Sequence, residues 1–245
     1  MNKANPLYRV KSALGKVVIA VFGWLIDLID GRIVYGDPHA VKGTEALENN
    51  VEAIIAEYKG IVQQQKLQSV QDFFVEQEKI TDADNWQSFP LFLFGREFEE
   101  NTRRCPETVR LLKGIDGMCA AMFSVLKPHA TIKPHRGPYK GVLRYHLGMI
   151  IPEPAGSCYI LVDGKQATWA KGRGLLFDDT HVHEVHNLCN EGRVILFVDV
   201  IRPLPFPLSR INNILFDAIG RSEYVEDVLE FYSRNQPPIE RAGVL

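Results

Sequence analysis

The feature that most limits what this chain can fold into begins near residue 117. From there, short runs rich in β-branched and aromatic residues alternate with turn-forming clusters. Met118–Leu126, Val142–Ile151, Cys158–Val162, Gly174–Phe177, His181–Asn187 and Val194–Ile201 are the strand candidates. The breaks fall at Lys133-Pro134, Pro152–Gly156, Asp163-Gly164, Lys171–Gly174 and Asn190–Gly192, where Gly, Pro, Asn and Asp supply turn geometries. Asp163-Gly164 between two such runs is a hairpin signal. Several antiparallel strands at this spacing suggest a jelly roll or double-stranded β-helix rather than βαβ units. The expected fold is therefore mainly β with flanking helices, on a double-stranded β-helix core of the jelly-roll, cupin-like kind. No G-x-G-x-x-G or Walker sequence is present, which removes the nucleotide readings that depend on those loops.

The flanks read as helices. Between 44 and 65, Leu47, Val51, Ile54, Ile55, Tyr58, Ile61 and Val62 recur on one face. Beyond Pro203-Leu204-Pro205-Phe206-Pro207, Ile211, Ile214, Leu215 and Ile219, then Val225, Val228, Leu229 and Phe231, have helical spacing. The expected organisation is an N-terminal amphipathic helix and linker (1–43), a domain over 44–205 with its β core at about 117–203, and a helical tail (206–245) packed on it. With 245 residues, 46% of them hydrophobic, the chain has material for a full core.

Val17–Ile26 follows Arg9, Lys11 and Lys16, but Asp27-Leu28-Ile29-Asp30 stands where a signal-peptide cleavage site would be. The run is also about half the roughly 20 residues that a membrane span needs. Leu14, Val17, Val18, Val21, Leu25 and Ile29 sit at helical spacing, which leaves two readings open. One is a helix packed on the domain or at a dimer contact. The other is an interfacial helix in peripheral membrane contact through residues 14–29, with Trp24 at headgroup depth.

A formal charge of −2 with no dense basic run argues against a nucleic-acid partner. The four cysteines, Cys105, Cys119, Cys158 and Cys189, lack metal-site spacing and read as reduced thiols. The expected location is cytoplasmic, with the inner face of a membrane as the site of any association.

Five of the seven histidines lie between His135 and His186, and imidazole suits iron, zinc and copper. His135 falls in the loop after Pro134, and His181 and His183 share one strand face. With Arg193 one strand beyond His183, two imidazoles and a cation for an anionic co-substrate could converge at one barrel mouth.

At this point the chain resembles the aspartyl/asparaginyl β-hydroxylases and their bacterial relatives that hydroxylate lipid acyl chains. The residues that carry the resemblance are Trp86-Gln87-Ser88-Phe89, Lys133-Pro134-His135-Arg136-Gly137-Pro138, Leu143-Arg144-Tyr145-His146-Leu147-Gly148, Ile151-Pro152, Thr168-Trp169, Phe177-Asp178-Asp179-Thr180, His183-Glu184-Val185 and Phe197-Val198-Asp199-Val200. The resemblance implies a dioxygenase using Fe(II), O2 and 2-oxoglutarate, with His135 and His183 as the iron ligands. Most related oxygenases carry a carboxylate two residues after the first histidine. Gly137 stands there instead, as in the peptide hydroxylases of the family, and water would fill the vacancy.

The resemblance further implies that Arg193 and Ser124 hold the distal carboxylate of 2-oxoglutarate, and that Arg144 and His146 lie near the carboxylate that chelates the metal. It places Asp178 and Asp179 in a structural turn. Trp86, Arg136 and Gly137 are candidate substrate contacts. Taken singly, Arg193 could be an exposed strand start, Ser124 a satisfied hydroxyl, and Arg144 with His146 part of a buried ion-pair network. The expected substrate is an acidic, peptide-like β-carbon or the 2-position of a lipid-linked acyl chain. A non-catalytic cupin-like binding protein is the alternative, and a two-histidine zinc hydrolase is a third option.

Overall fold

The computed structural model describes residues 6–30, 32–70, 80–82 and 84–234. Residues 1–5 and Gly31 of the 1–43 segment, the side chain of Leu14 and residues 235–245 of the tail lie outside the described residues. In chain order the elements are α1 (Pro6–Asp30), β1 (Tyr35–Gly36), α2 (Thr44–Asn49), α3 (Val51–Gln64), β2 (Gln68–Ser69), β3 (Trp86–Leu93), β4 (Arg96–Glu97), α4 (Glu99–Thr102) and α5 (Pro106–Leu112). They continue with β5 (Met118–Leu126), β6 (Thr131–His135), β7 (Val142–Ile150), β8 (Cys158–Val162), β9 (Lys165–Thr168), β10 (Gly174–Phe177), β11 (His183–Asn187), β12 (Arg193–Ile201), α6 (Leu208–Gly220) and α7 (Glu223–Arg234).

The strands form two antiparallel sheets. The larger runs β1-β10-β7-β12-β5-β3-β2 with β4 paired to β3, and the smaller runs β6-β11-β8-β9. Strands β5 to β12 are thus dealt between the two sheets, with β5, β7, β10 and β12 in one and β6, β8, β9 and β11 in the other. That winding is the double-stranded β-helix. The β8–β9 hairpin turns at Asp163 (φ 51°) and Gly164 (φ 73°), the paired positive φ values that a two-residue turn matched to strand twist requires.

Several elements differ from the expectations, among them β11, which begins at His183 and leaves His181 in the preceding turn. The helix expected over 44–65 is two, α2 and α3, separated at Asn50. The Asn50 side chain donates to Ala46 O (2.8 Å), the local competition with helical bonding that Asn favours. The sheet also begins before residue 117, because β3 pairs with β5 from Trp86↔Leu126 to Phe92↔Ala121. And His135 ends strand β6 where a loop was expected.

Alternation along the strands divides the core in two. One set (Ala121, Phe123; Leu143, Tyr145, Leu147, Met149; Val194, Leu196, Val198, Val200) packs with Leu47, Ile54, Ile55, Tyr58, Val109 and Leu112 of α2, α3 and α5. The other set (Ala120, Met122, Leu126, Ile132, Ile160, Val162, Phe177, Val185, Ile195, Phe197) fills the barrel. Helices cover the outer face of the large sheet, so β5 and β12 are buried on both faces, whereas β8 and β11 keep a clean alternation of buried and half-buried residues. The C-terminal helices are docked too, with Val228 and Tyr232 in the barrel cluster and Leu208 in a third cluster with Phe22 and Ile26 of α1.

Candidate active site

Strand parity selects the site residues before any distance is measured. Ser124 alternates with Phe123 and so shares the barrel face of Met122 and Leu126. Arg144 and His146 alternate with Leu143, Tyr145 and Leu147, and Arg193 precedes the barrel-facing Ile195 and Phe197. All four polar groups therefore point into the same interior, where they line one cleft with His135 and His183.

The two histidines meet because the β6–β11 ladder is irregular. His183 pairs with His135 while Val185 pairs with Ile132, so three steps on β6 oppose two on β11. The extra residue reverses parity, and Ile132 and His135 both face inward. A bulge of this kind re-aims a side chain, and Pro134, which has no N–H to give a ladder, sits where pairing lapses. Sequence spacing alone hid this, because Pro134 reads as a strand breaker.

The rings of His135 and His183 have centroids 4.0 Å apart. His135 Nδ1 donates to Lys133 O (2.9 Å) and His183 Nδ1 to His181 O (3.0 Å). Each ring thus carries its proton on Nδ1 and keeps a lone pair on Nε2, the tautomer a metal needs, with the ring held by a backbone carbonyl. Burial lowers both pKa values, that of His183 to about 3 with His135 and Arg144 adding repulsion, so both rings are neutral at neutral pH. Among the described residues no group of three or more His, Cys, Asp or Glu is arranged to hold a metal, so the pair stands without a third protein ligand.

At the other end of the cleft Arg193 is 1% exposed, and among the described residues its Nε has no hydrogen-bond partner and no carboxylate accompanies it. Burial pulls its pKa down to about 10. Its guanidinium lies 4.7 Å from the Trp169 ring. Trp86 Nε1 donates to Ser124 Oγ (2.9 Å), which leaves the Ser124 hydroxyl proton to be donated elsewhere. Trp169 Nε1 donates to His146 Nδ1 (3.3 Å), which puts the His146 proton on Nε2, and that nitrogen is buried without a partner among the described residues. Burial, with Arg193 and Arg144 nearby, holds His146 well below its ordinary pKa and therefore neutral. A buried cation, a hydroxyl and an orphan N–H in one cleft form a donor set for a small anion. Trp169 was not singled out by sequence reasoning as a site residue; its place after the exposed edge strand β9 carried no signal of the contacts it makes.

Arg144 also borders the cleft, but two carboxylates already hold it. Its Nε and Nη2 reach Asp199 at 2.9 and 3.0 Å, and its Nη1 reaches Asp179 Oδ2 at 2.9 Å. Asp179 is almost fully buried, and its Oδ1 has no partner among the described residues. Burial pushes its carboxyl up to about 6 against the pull of Arg144, with Asp199 and Asp178 raising it further. A Cβ at Gly137 would fall 2.1 Å from Asp179 Oδ2, so this position is glycine because the Asp179 carboxylate occupies the space a side chain would need. Asp178, by contrast, belongs to the turn: it accepts from Thr180 N and Oγ1 and pairs with Arg202. Arg136 is exposed at the rim and donates to Thr180 O (3.0 Å), and Trp86 serves Ser124 at the anion end.

The cleft is narrow, with a free volume of ≈ 30 Å³. A larger groove of ≈ 550 Å³ lies between Lys42, Asp116, Pro203 and Asn213, but it contains no histidine and no orphaned buried donor among the described residues. Convergent chemistry, not size, identifies the site.

Residues 48–203 match the family described as Aspartyl/Asparaginyl beta-hydroxylase. The chain is 37% identical over 185 residues to the ornithine lipid ester-linked acyl 2-hydroxylase of Rhizobium tropici, covering 75% of this chain and 66% of that protein. It is 32% identical over 143 residues to the aspartyl/asparaginyl beta-hydroxylase of Mus musculus, covering 56% of this chain and 19% of that one. The chain thus spans less than two thirds of the length of either relative. Among solved structures it is similar to a Pseudomonas putida prolyl-4-hydroxylase at 16% identity and a TM-score of 0.41, covering 64% of this chain and 88% of that chain. With a match that extends over more than half of its 245 residues and takes in both histidines, the cleft and its cation, the chain belongs to the aspartyl/asparaginyl β-hydroxylase family.

Proposed function

We propose that this protein is an Fe(II)- and 2-oxoglutarate-dependent dioxygenase that hydroxylates an unactivated C–H bond. The observation that carries the reading is Arg193, a buried cation with no carboxylate beside it among the described residues, in the same cleft as two imidazoles whose Nδ1 donates to a backbone carbonyl. A buried unpaired charge is costly, and an anionic ligand offsets that cost. The bound Fe(II) and 2-oxoglutarate supply the oxidation by O2, in which one oxygen atom enters the substrate, the other enters succinate, and CO2 leaves.

The protein's part is binding and orientation. His135 and His183 would hold the metal through Nε2. Arg193 and the Ser124 hydroxyl would grip the distal carboxylate of 2-oxoglutarate, and Trp169 holds the His146 tautomer so that its Nε2–H can donate into the cleft. Arg144, already held by Asp179 and Asp199, contributes positive potential more than a free fork. The apolar wall of Phe177, Ile195 and Phe197 limits the entry of water.

For substrate, the 2-position of a lipid-linked acyl chain is favoured, with the protein at the cytoplasmic face of a membrane and residues 14–29 in peripheral contact. Its support is the Rhizobium tropici relative, which aligns over more of this chain than the mouse protein does, including part of the sequence outside the shared core.

The test is succinate release from 2-oxoglutarate with Fe(II), together with mass analysis of lipid and peptide extracts for one added oxygen. Wild type should turn over and His183→Ala should not. Turnover that is independent of iron, or absent altogether, overturns the reading in favour of a binding protein. Oxygen added to aspartyl peptides alone replaces the acyl substrate with the β-carbon.

A further inference from the structure

We infer that α1 is a docking surface for an anionic lipid bilayer, seated on the loop that follows His135. This surface names the partner of the hydroxylase and rests on that reading for its purpose. The helix has two apolar faces. Phe22 and Ile26 are buried against Tyr139 and Leu208, and the Phe22 and Tyr139 rings stack at 6.4 Å. Tyr139 lies four residues beyond His135 and its hydroxyl donates to Asn212 Oδ1 (2.6 Å), so the loop is held between α1 and α6.

The second face is the one that packing on the domain does not explain. Val17, Val21, Trp24 and Leu28 follow one another at i, i+4, i+7 and i+11, on the side opposite Phe22, and are 58%, 53%, 59% and 65% exposed. A helix that only packs on its own domain presents polar residues there. On the adjoining α6 and the turn before it, Ile214 and Phe206 are also exposed.

Charge selects the occupant. The sequence up to Ile26 contains Lys3, Arg9, Lys11 and Lys16 and no acidic residue. Lys16 is exposed. Asp27, the first carboxylate along the helix, is turned toward Lys140, whose Nζ lies 2.5 Å from Asp27 Oδ1 and 3.4 Å from Asp178 Oδ2. The described outward surface is therefore apolar with an exposed lysine, Lys16, and a tryptophan, Trp24, the combination that settles a helix at the boundary of headgroups and acyl chains. No helix among the described residues is long and apolar enough to cross a membrane, so this one lies along the surface. A second copy of the chain would bring the same helix, with no acidic residue before Asp27, to this face.

The experiment is co-sedimentation of the full chain with vesicles of phosphatidylethanolamine and phosphatidylglycerol, and with vesicles of phosphatidylcholine alone. Wild type should bind the anionic vesicles and leave the uncharged ones largely unoccupied. The double variant V21D/L28D, at two exposed positions, should lose at least about tenfold in partitioning, and Lys16→Glu a smaller, salt-sensitive part of it. Equal binding of V21D/L28D, equal binding to phosphatidylcholine, or no binding by wild type would overturn the inference. So would a lipid-free wild-type dimer that V21D/L28D dissociates. Succinate release measured without vesicles should be the same in wild type and V21D/L28D. Its absence from both would end the dioxygenase reading while leaving the vesicle result to stand or fall by itself.

Discussion

Among the described residues two arginines are almost completely buried, and their surroundings are opposite. Arg202, 2% exposed, lies where the β core meets α6. It pairs with Asp178, and its Nε donates to Lys140 O (2.8 Å). Burial alone would raise the Asp178 carboxyl, but Arg202, two bonds from Thr180 and nearby Lys140 hold it below its ordinary value. Arg193, 1% exposed, has aromatic rings and a cysteine around it but no carboxylate among the described residues. The first arrangement is complete within the chain, and the second becomes complete when an anion arrives. The contrast teaches that burial of a charge says little about function until its partners are counted.

Four substitutions would break or sharpen that contrast. Asp178→Asn should be the most damaging to the fold, because it removes the buried carboxylate with which Arg202 pairs; a loss of about 3–5 kcal/mol in urea unfolding is expected. Arg193→Met should do the reverse to the ligand-free protein, leaving its stability unchanged or raised. The same substitution removes charged hydrogen bonds to 2-oxoglutarate worth about 1.5–3 kcal/mol, or roughly 10- to 150-fold in affinity by titration calorimetry. If Arg193→Met destabilises the free protein as much as Asp178→Asn does, the two sites are alike and the contrast fails.

Gly137→Ala probes the crowded Asp179 carboxylate, and overpacking there should cost about 1–3 kcal/mol in thermal unfolding. The cost of Gly137→Ala should be smaller in an Asp179→Ala background than in wild type, which no unrelated defect at residue 137 would produce. Trp169→Phe should give the smallest effect. It keeps a ring for Arg193 but removes the donor to His146 Nδ1, and about 1 kcal/mol is expected. That corresponds to roughly a fivefold rise in the KM for 2-oxoglutarate with little change in kcat. The ¹⁵N shifts of His146 should show its tautomer no longer fixed, a signature that loosened packing alone would not produce.

Much of the fold was legible in the sequence because it is local. Strands β5, β8 and β10 have the expected bounds, and the Asp163-Gly164 turn lies where its residues require it. The elements that escaped are those whose pattern another constraint overrides. Lys133-Pro134 reads as a break, yet β6 runs through it because pairing with β11 tolerates a bulge there. Trp86–Leu93 is buried along nearly its whole length, so it lacks the alternation by which a half-buried strand is recognised. At the site, His135, His183, Ser124, His146 and Arg193 all line one cleft. Arg144 lines it as well, but the ion-pair alternative weighed for it describes its guanidinium, which Asp179 and Asp199 occupy.

The amino-acid sequence by itself determined the order of strands and turns, the face on which each barrel residue falls, and the identity of the groups available for chemistry. Those properties follow from φ/ψ preferences and from the period of two along a strand, which act within a few residues. Tertiary structure alone decided which groups found partners: Asp178 for Arg202, Asp199 and Asp179 for Arg144, Trp169 for His146, and no carboxylate for Arg193. Charge pairing depends on distance in space and on the exclusion of water. Neither exists until sheets from distant parts of the chain have closed around the cleft.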